Sequence, residues 1–134
     1  MADAALKDRI REFFDSRGTN VVCAYLFGSQ ARGDSGPRSD ADVAVLLKED
    51  PPRTLEGLQL ELAGDLEDHL DREVDLVVLN TAPVDLAIRV LRDGELLFDR
   101  NPSMRISYEV RVRNEFFDLE PYLLEYRRAR GGSP

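Results

Sequence analysis

Apolar positions along this chain switch between helical and strand periods, and the switches divide it into alternating elements. Leu6, Ile10, Phe13 and Phe14 recur at helical spacing, which predicts an amphipathic helix over residues 4–16, ended by Gly18. Asn20 to Phe27 carries Val21, Val22, Tyr25 and Phe27, a strand composition. Ser29 to Gly33 reads as a short helical turn opening at Ser29, and Asp34-Ser35-Gly36-Pro37 as a loop. A second strand is expected over Asp42 to Leu47. Pro51-Pro52 breaks the chain before a helix over roughly 54–70, built on Leu55, Leu58, Leu62, Leu66 and Leu70. Val74 to Leu79 predicts a third strand, Pro83 to Leu91 a short helix stopped by Gly94, and Leu96 to Phe98 a short fourth strand. Ser103 is placed to cap a long C-terminal helix, at about 103–128, that meets Pro121. Strands alternating with helices indicate an α/β or α+β sheet domain.

Composition narrows the class. At 134 residues the chain is expected to form one domain spanning 1–134, with a real core, and its 43% apolar content supports globular folding. A formal charge of −8 disfavours direct nucleic-acid binding, which needs clustered Lys and Arg, but suits a basic protein partner. Cys23 is the single cysteine and lies in an apolar run; it is expected to be buried and fits a reducing cytoplasm. No apolar stretch reaches membrane-spanning length, and Met1-Ala2-Asp3-Ala4 lacks the basic and apolar regions of a signal peptide. The end of the chain, Gly131-Gly132-Ser133-Pro134, reads as a loose tail.

The candidate chemistry is concentrated in one stretch. Gly28 ends a strand, where a missing side chain lets backbone approach a ligand closely. Ser29 follows at an expected helix N-terminus, with N–H groups and a hydroxyl available to a phosphate. Asp40 and Asp42 are two apart, so on a strand they share a face. Asp75 stands in Glu73-Val74-Asp75-Leu76-Val77-Val78-Leu79, where an acid among so many apolar neighbours calls for a reason; a bound cation is a good one, and taken alone Asp75 could be a strand-edge acid. Magnesium prefers oxygen ligands, commonly one or two carboxylates plus substrate phosphates. Asp40 and Asp42 could therefore ligate a cation bridging to a triphosphate, and Asp75 could complete a second metal position or take a proton from an incoming hydroxyl. Arg32 and Arg38 flank the group and could neutralise phosphate charge. Gly28 and Gly33 also match half of a P-loop, but Asp34 and Ser35 stand where that motif needs Lys and Ser or Thr, and an acid there would repel phosphate. Asp-x-Asp alone would be a solvated turn in most acidic chains; the joint pattern of turn, acids and strand contexts is far more specific.

Gly28-Ser29-Gln30-Ala31-Arg32-Gly33, followed by Arg38-Ser39-Asp40-Ala41-Asp42-Val43, closely resembles the DNA polymerase β-like nucleotidyltransferases. The short chain resembles their minimal nucleotidyltransferase (MNT) group, which includes antitoxins paired with HEPN-domain RNase toxins. The motif match spans about residues 20–80. The resemblance implies a short mixed sheet flanked by helices, Asp40, Asp42 and Asp75 as catalytic metal ligands for two Mg²⁺ ions, and Gly28-Ser29 as the triphosphate turn. It also implies transfer of AMP from ATP to a tyrosine of a HEPN RNase toxin, within a hetero-oligomer in the cytoplasm. Two rivals stay open. One is a small-molecule nucleotidyltransferase of the aminoglycoside type, which would normally need extra structure to enclose its acceptor. The other is a non-enzymatic antitoxin that acts by occlusion, against which the intact carboxylates count.

Two further features carry expectations. His69 lies among Asp65, Glu67, Asp68 and Asp71, which reads as a solvated polar helix face. On the C-terminal helix, Ile106, Val110, Phe117 and Leu124 form one apolar stripe, while Tyr108, Val112, Phe116, Leu119, Leu123 and Tyr126 form another nearly opposite. One stripe can pack on the parent domain. The wider second stripe, at Tyr108, Val112, Phe116, Leu119 and Leu123, is expected to bind a partner protein. The alternative is a helix sandwiched within its own fold or broken at Pro121.

Overall fold

A computed structural model describes residues 4–17, 20–28, 40–49 and 55–130, with side chains throughout except at 55–58, 120, 122–124 and 126–130. In chain order the elements are α1 (Ala4–Ser16), β1 (Val21–Phe27), β2 (Ala41–Leu47), α2 (Leu55–Leu70), β3 (Val74–Val78), α3 (Val84–Asp93), β4 (Glu95–Asp99) and α4 (Pro102–Arg130). The strands form one sheet in the order β3-β2-β1-β4. β1 runs antiparallel to both β2 and β4, and β2 pairs parallel with β3 through the α2 crossover. The expected mixed sheet flanked by helices is therefore present.

Strand alternation separates two apolar layers. Ala41, Val43, Val45 and Leu47 of β2 face the layer that holds Leu6, Ile10 and Phe14 of α1 and Leu62, Leu66 and Leu70 of α2. Ala44 and Leu46 face the other layer, with Ala87 and Val90 of α3 and Tyr108 and Val112 of α4. Covering both faces leaves the central strands β1 and β2 buried along nearly their whole length, which explains their near-continuous apolar sequence. Gly94 caps α3, its N–H donating to the Val90 carbonyl at 2.8 Å, and that close approach leaves no room for a Cβ. Cys23 and Tyr25 are core residues, as expected, whereas His69 is exposed with its ring 5.5 Å from that of Phe13. No helix of the described residues is long and apolar enough to cross a membrane.

α4 departs from the expected assignment of its faces. Tyr108 and Val112 are only 6% and 4% exposed and pack on the sheet. Together with Met104 they form an i, i+4, i+8 stripe, and the Tyr108 hydroxyl donates to the Leu79 carbonyl at 3.1 Å. Tyr108 and Val112 are thus core residues and not part of a docking face. The outward stripe is Ile106, Val110 and Phe117, and Phe117 is 76% exposed. Of the expected docking residues, Phe116 is half-buried, Leu119 is exposed, and the Leu123 side chain lies outside those described.

α4 also continues through Pro121 to Arg130. A proline inside a helix frees the carbonyl four residues earlier, here that of Phe117. Phe117 is exposed, so water can satisfy that carbonyl and the helix need not end.

Candidate active site

The chemistry collects at one end of the sheet. The antiparallel register sets Phe27 opposite Asp42, and the parallel register sets Asp42 beside Asp75. Three neighbouring strands thus align the end of β1 with the starts of β2 and β3. Register partners point to the same face, so the Asp42 and Asp75 side chains project together, on strands about 4.8 Å apart. That face also carries Ala44, Leu46 and Val77, against which α3 and α4 pack. Asp40, just before β2, falls on it as well.

Gly28 follows Phe27 with φ +73°, a left-handed conformation that favours glycine. A Cβ built on it would overlap Oδ2 of Asp42. The requirement for glycine is therefore double: the backbone needs positive φ, and the Asp42 carboxylate occupies the space a side chain would take. The backbone of Gly28 and the carboxylate of Asp42 are in direct apposition, which suits a site where a turn holds phosphate beside a cation-binding acid. Ser29, Arg32 and Arg38 lie outside the described residues, as do the helical turn and loop expected over 29–37.

Asp75 lies on a strand edge and not in the buried strand that its apolar neighbours suggest. It is exposed, because β3 is an edge strand of the sheet, so burial does not demand a cation. The backbone on either side of it is held from outside: Glu67 Oε2 accepts the Val74 N–H at 2.9 Å, and Gln59 Nε2 donates to the Leu76 carbonyl at 2.7 Å. These two α2 side chains fix the strand that presents Asp75. No sequence pattern singled them out, because their role follows from the packing of α2 along the β3 edge.

The donor set fits a hard cation of limited protein coordination. Among the described residues no three His, Cys, Asp or Glu side chains form a ready metal-holding cluster. The register brings together a carboxylate pair, Asp42 and Asp75, with Asp40 two residues along. Magnesium commonly takes one or two carboxylates and completes its shell with phosphate oxygens and water, so such a pair can serve without an all-protein cage.

A polar network behind the site fastens α4 to the sheet. The Tyr25 hydroxyl donates to Glu109 Oε2 at 2.7 Å. Arg105 donates from Nε to Asp99 Oδ2 at 2.7 Å and from Nη1 to Glu109 Oε1 at 3.0 Å. Burial, with the neighbouring Cys23 and Glu109, pushes the Tyr25 phenol well above its ordinary range. Burial also pushes the Cys23 thiol up to about 12. Both groups are held neutral as parts of the scaffold.

Comparison with known proteins agrees with this geometry. The protein adenylyltransferase MntA of Shewanella oneidensis (strain MR-1) is 40% identical over 75 residues, covering 55% of this chain and 51% of that protein. The match therefore spans about half the length of that curated relative. A chain from a toxin–antitoxin crystal structure with AMP-PNP superposes with a TM-score of 0.71 at 27% identity, over 92% of this chain and 93% of that one. A chain from tri-AMPylated Shewanella oneidensis HEPN toxin in complex with MNT antitoxin gives a TM-score of 0.65 at 25% identity, over 93% of this chain and 92% of that one. The family model for polymerase beta nucleotidyltransferases matches residues 8–103, so the chain belongs to that family.

Proposed function

We propose that this protein is an antitoxin that transfers AMP from ATP to a tyrosine of a partner HEPN RNase, silencing it. The observation that carries the reading is the Gly28–Asp42–Asp75 alignment across three strands, which sets a glycine turn against paired carboxylates. The relatives named as an adenylyltransferase and as antitoxin complexes support the same reading.

In this reading each group has a role. The Gly28-Ser29 turn binds the triphosphate, with Arg32 and Arg38 offsetting its charge. Asp40 and Asp42, with Asp75, would hold magnesium, which when bound would neutralise charge on the transferred phosphoryl group. The phenolic oxygen of the acceptor tyrosine attacks the α-phosphorus. A new P–O bond forms, the bond to the β-phosphate's bridging oxygen breaks, and pyrophosphate leaves. Asp75, exposed at the sheet edge, accepts the phenolic proton.

The outward stripe of α4, Ile106, Val110 and Phe117, is the docking surface for that partner. It replaces Tyr108 and Val112, which the fold buries. The charge of −8 would steer a basic RNase toward it. Cytoplasmic residence agrees with the buried free thiol of Cys23.

Incubation with labelled ATP, magnesium and a cognate HEPN RNase tests the function. Label is expected on a tyrosine of the partner, with loss of its RNase activity. Inhibition without label would favour occlusion, and label on an aminoglycoside alone would favour the small-molecule enzyme.

A further inference from the structure

Among the described residues no side chain bonds the Asp75 carboxylate. Its place beside Asp42 is therefore set by the β3 backbone. That strand is five residues long and lies at the sheet edge, with β2 on one side only. Short edge strands open easily, and misplacing a reacting group by about 1 Å can cost roughly a hundredfold in rate. The β3 backbone thus needs a second support if Asp75 is to act.

The structure supplies one from α2. Glu73 and Leu79 bond to Ala41 and Val45 of β2, so alternate residues of this stretch, Asp75 included, turn their peptide groups toward β2. Val74 and Leu76 turn theirs outward. Those are the residues that α2 holds: Glu67 Oε2 accepts the Val74 N–H at 2.9 Å, and Gln59 Nε2 donates to the Leu76 carbonyl at 2.7 Å. Gln59, Ala63 and Glu67 recur every fourth residue and form one stripe along α2. The small Ala63 packs against the core between them.

We infer that Gln59 and Glu67 are positioning residues for AMP transfer: they clamp β3 on either side of Asp75 and hold its carboxylate in register with Asp42. The inference rests on the adenylyltransferase reading above. Val74 and Leu76 pack in the layer that holds α2, so Asp75, between them, points to the opposite face. Gln59 and Glu67 therefore act through the backbone and do not touch the reacting atoms. Guarding the edge against an added strand needs only a charge or a short strand, and β3 is short with Glu73 and Asp75 exposed. Two directed bonds on the residues that flank the acid go beyond that need.

Amide exchange tests the clamp, and kinetics tests its purpose. In Glu67→Ala the Val74 amide should exchange at least tenfold faster, while Val45 in the central strand β2 keeps its wild-type protection. With a cognate HEPN RNase as acceptor, Glu67→Ala and Gln59→Ala should each lower kcat at least tenfold, with KM for ATP within twofold. Glu67→Gln keeps an acceptor oxygen of the same reach and should bring kcat back to within threefold of wild type. In an Asp75→Asn background, Glu67→Ala should add less than a twofold loss, because residues that act through one another are not additive. Unchanged Val74 exchange, a full tenfold loss in the Asp75→Asn background, or a Glu67→Gln variant as slow as Glu67→Ala would each overturn the assignment. If the wild-type protein transfers no AMP, the adenylyltransferase reading fails, and Val74 exchange still decides whether Glu67 clamps β3.

Discussion

Gly28 and Asp42 compete for one small volume: the space a Cβ would fill on the glycine holds Oδ2 of the aspartate. Gly28→Ala should therefore fail for two separable reasons. Positive φ costs a non-glycine residue about 1–3 kcal/mol, and overlap displaces the carboxylate from its working position. We expect AMP transfer to drop at least a hundredfold and the fold to be weakened. In an Asp42→Ala background the stability penalty of Gly28→Ala should shrink to the backbone strain alone. Urea unfolding of the four proteins measures this; an unchanged penalty would show that the two residues are not coupled.

Asp75 is the exposed member of the carboxylate pair, so its charge can be removed with little effect on packing. Asp75→Asn should lower transfer by two or more orders of magnitude while leaving affinity for a non-hydrolysable ATP analogue within a few fold. Without divalent metal the variant should be slightly more stable than wild type, by less than about 1 kcal/mol, because like charges on register partners repel. Retained transfer in Asp75→Asn would remove it from the mechanism.

The two expectations about Asp75 fared differently, and the reason is physical. That it joins Asp42 was legible, because local spacing and strand character bring such residues to one end of a sheet. That it is exposed was open only as a strand-edge alternative, because Val74 to Leu79 reads as buried on both faces and only the strand order makes β3 an edge. The same limit affects α4. Periodicity resolved two apolar stripes, but nothing local says which one meets the sheet, and Tyr108 bonds to Leu79, 29 residues away. Pro121 marks a break in local terms, yet α4 passes through it where solvent can serve the freed carbonyl. Gln59 and Glu67 left no sequence signal, since ordinary helical polar residues gain their role only from lying along β3.

The buried neutral groups predict how stability varies with pH. Burial raises Cys23 from 9.0 to about 12 and Tyr108 from 10.0 to about 12, and Tyr25 moves in the same direction. In the unfolded chain these groups lose protons near their ordinary values, while the folded chain keeps them. The unfolded state then binds fewer protons, so the stability these groups contribute is fully present below about pH 9 and is lost as pH rises toward 12. Each such proton contributes a slope of about 1.4 kcal/mol per pH unit. Urea unfolding from pH 8 to pH 11 should show the decline, and Cys23→Ala should flatten it by about one proton. A flat profile in the wild type would mean that these groups titrate alike in both states.

The outward face of α4 gives the clearest division between folding and partner capture. Val110 and Phe117 are exposed and make no part of either apolar layer, whereas Tyr108 lies 6% exposed against the sheet on the opposite side. Surface substitutions of this kind usually change stability by less than about 0.5 kcal/mol. Val110→Ser with Phe117→Ser should therefore leave urea unfolding and ATP-analogue binding near wild type. Capture of the HEPN partner should weaken at least tenfold, since an exposed aromatic is the kind of residue that anchors an interface. Tyr108→Phe supplies the opposite pattern. It removes the hydroxyl that bonds the Leu79 carbonyl and should cost about 1 kcal/mol of stability, with capture by the folded protein unchanged. Pull-down and unfolding on both variants separate the two roles. Normal capture by the double variant, or capture lost in Tyr108→Phe while the fold survives, would move the docking surface off the outward stripe.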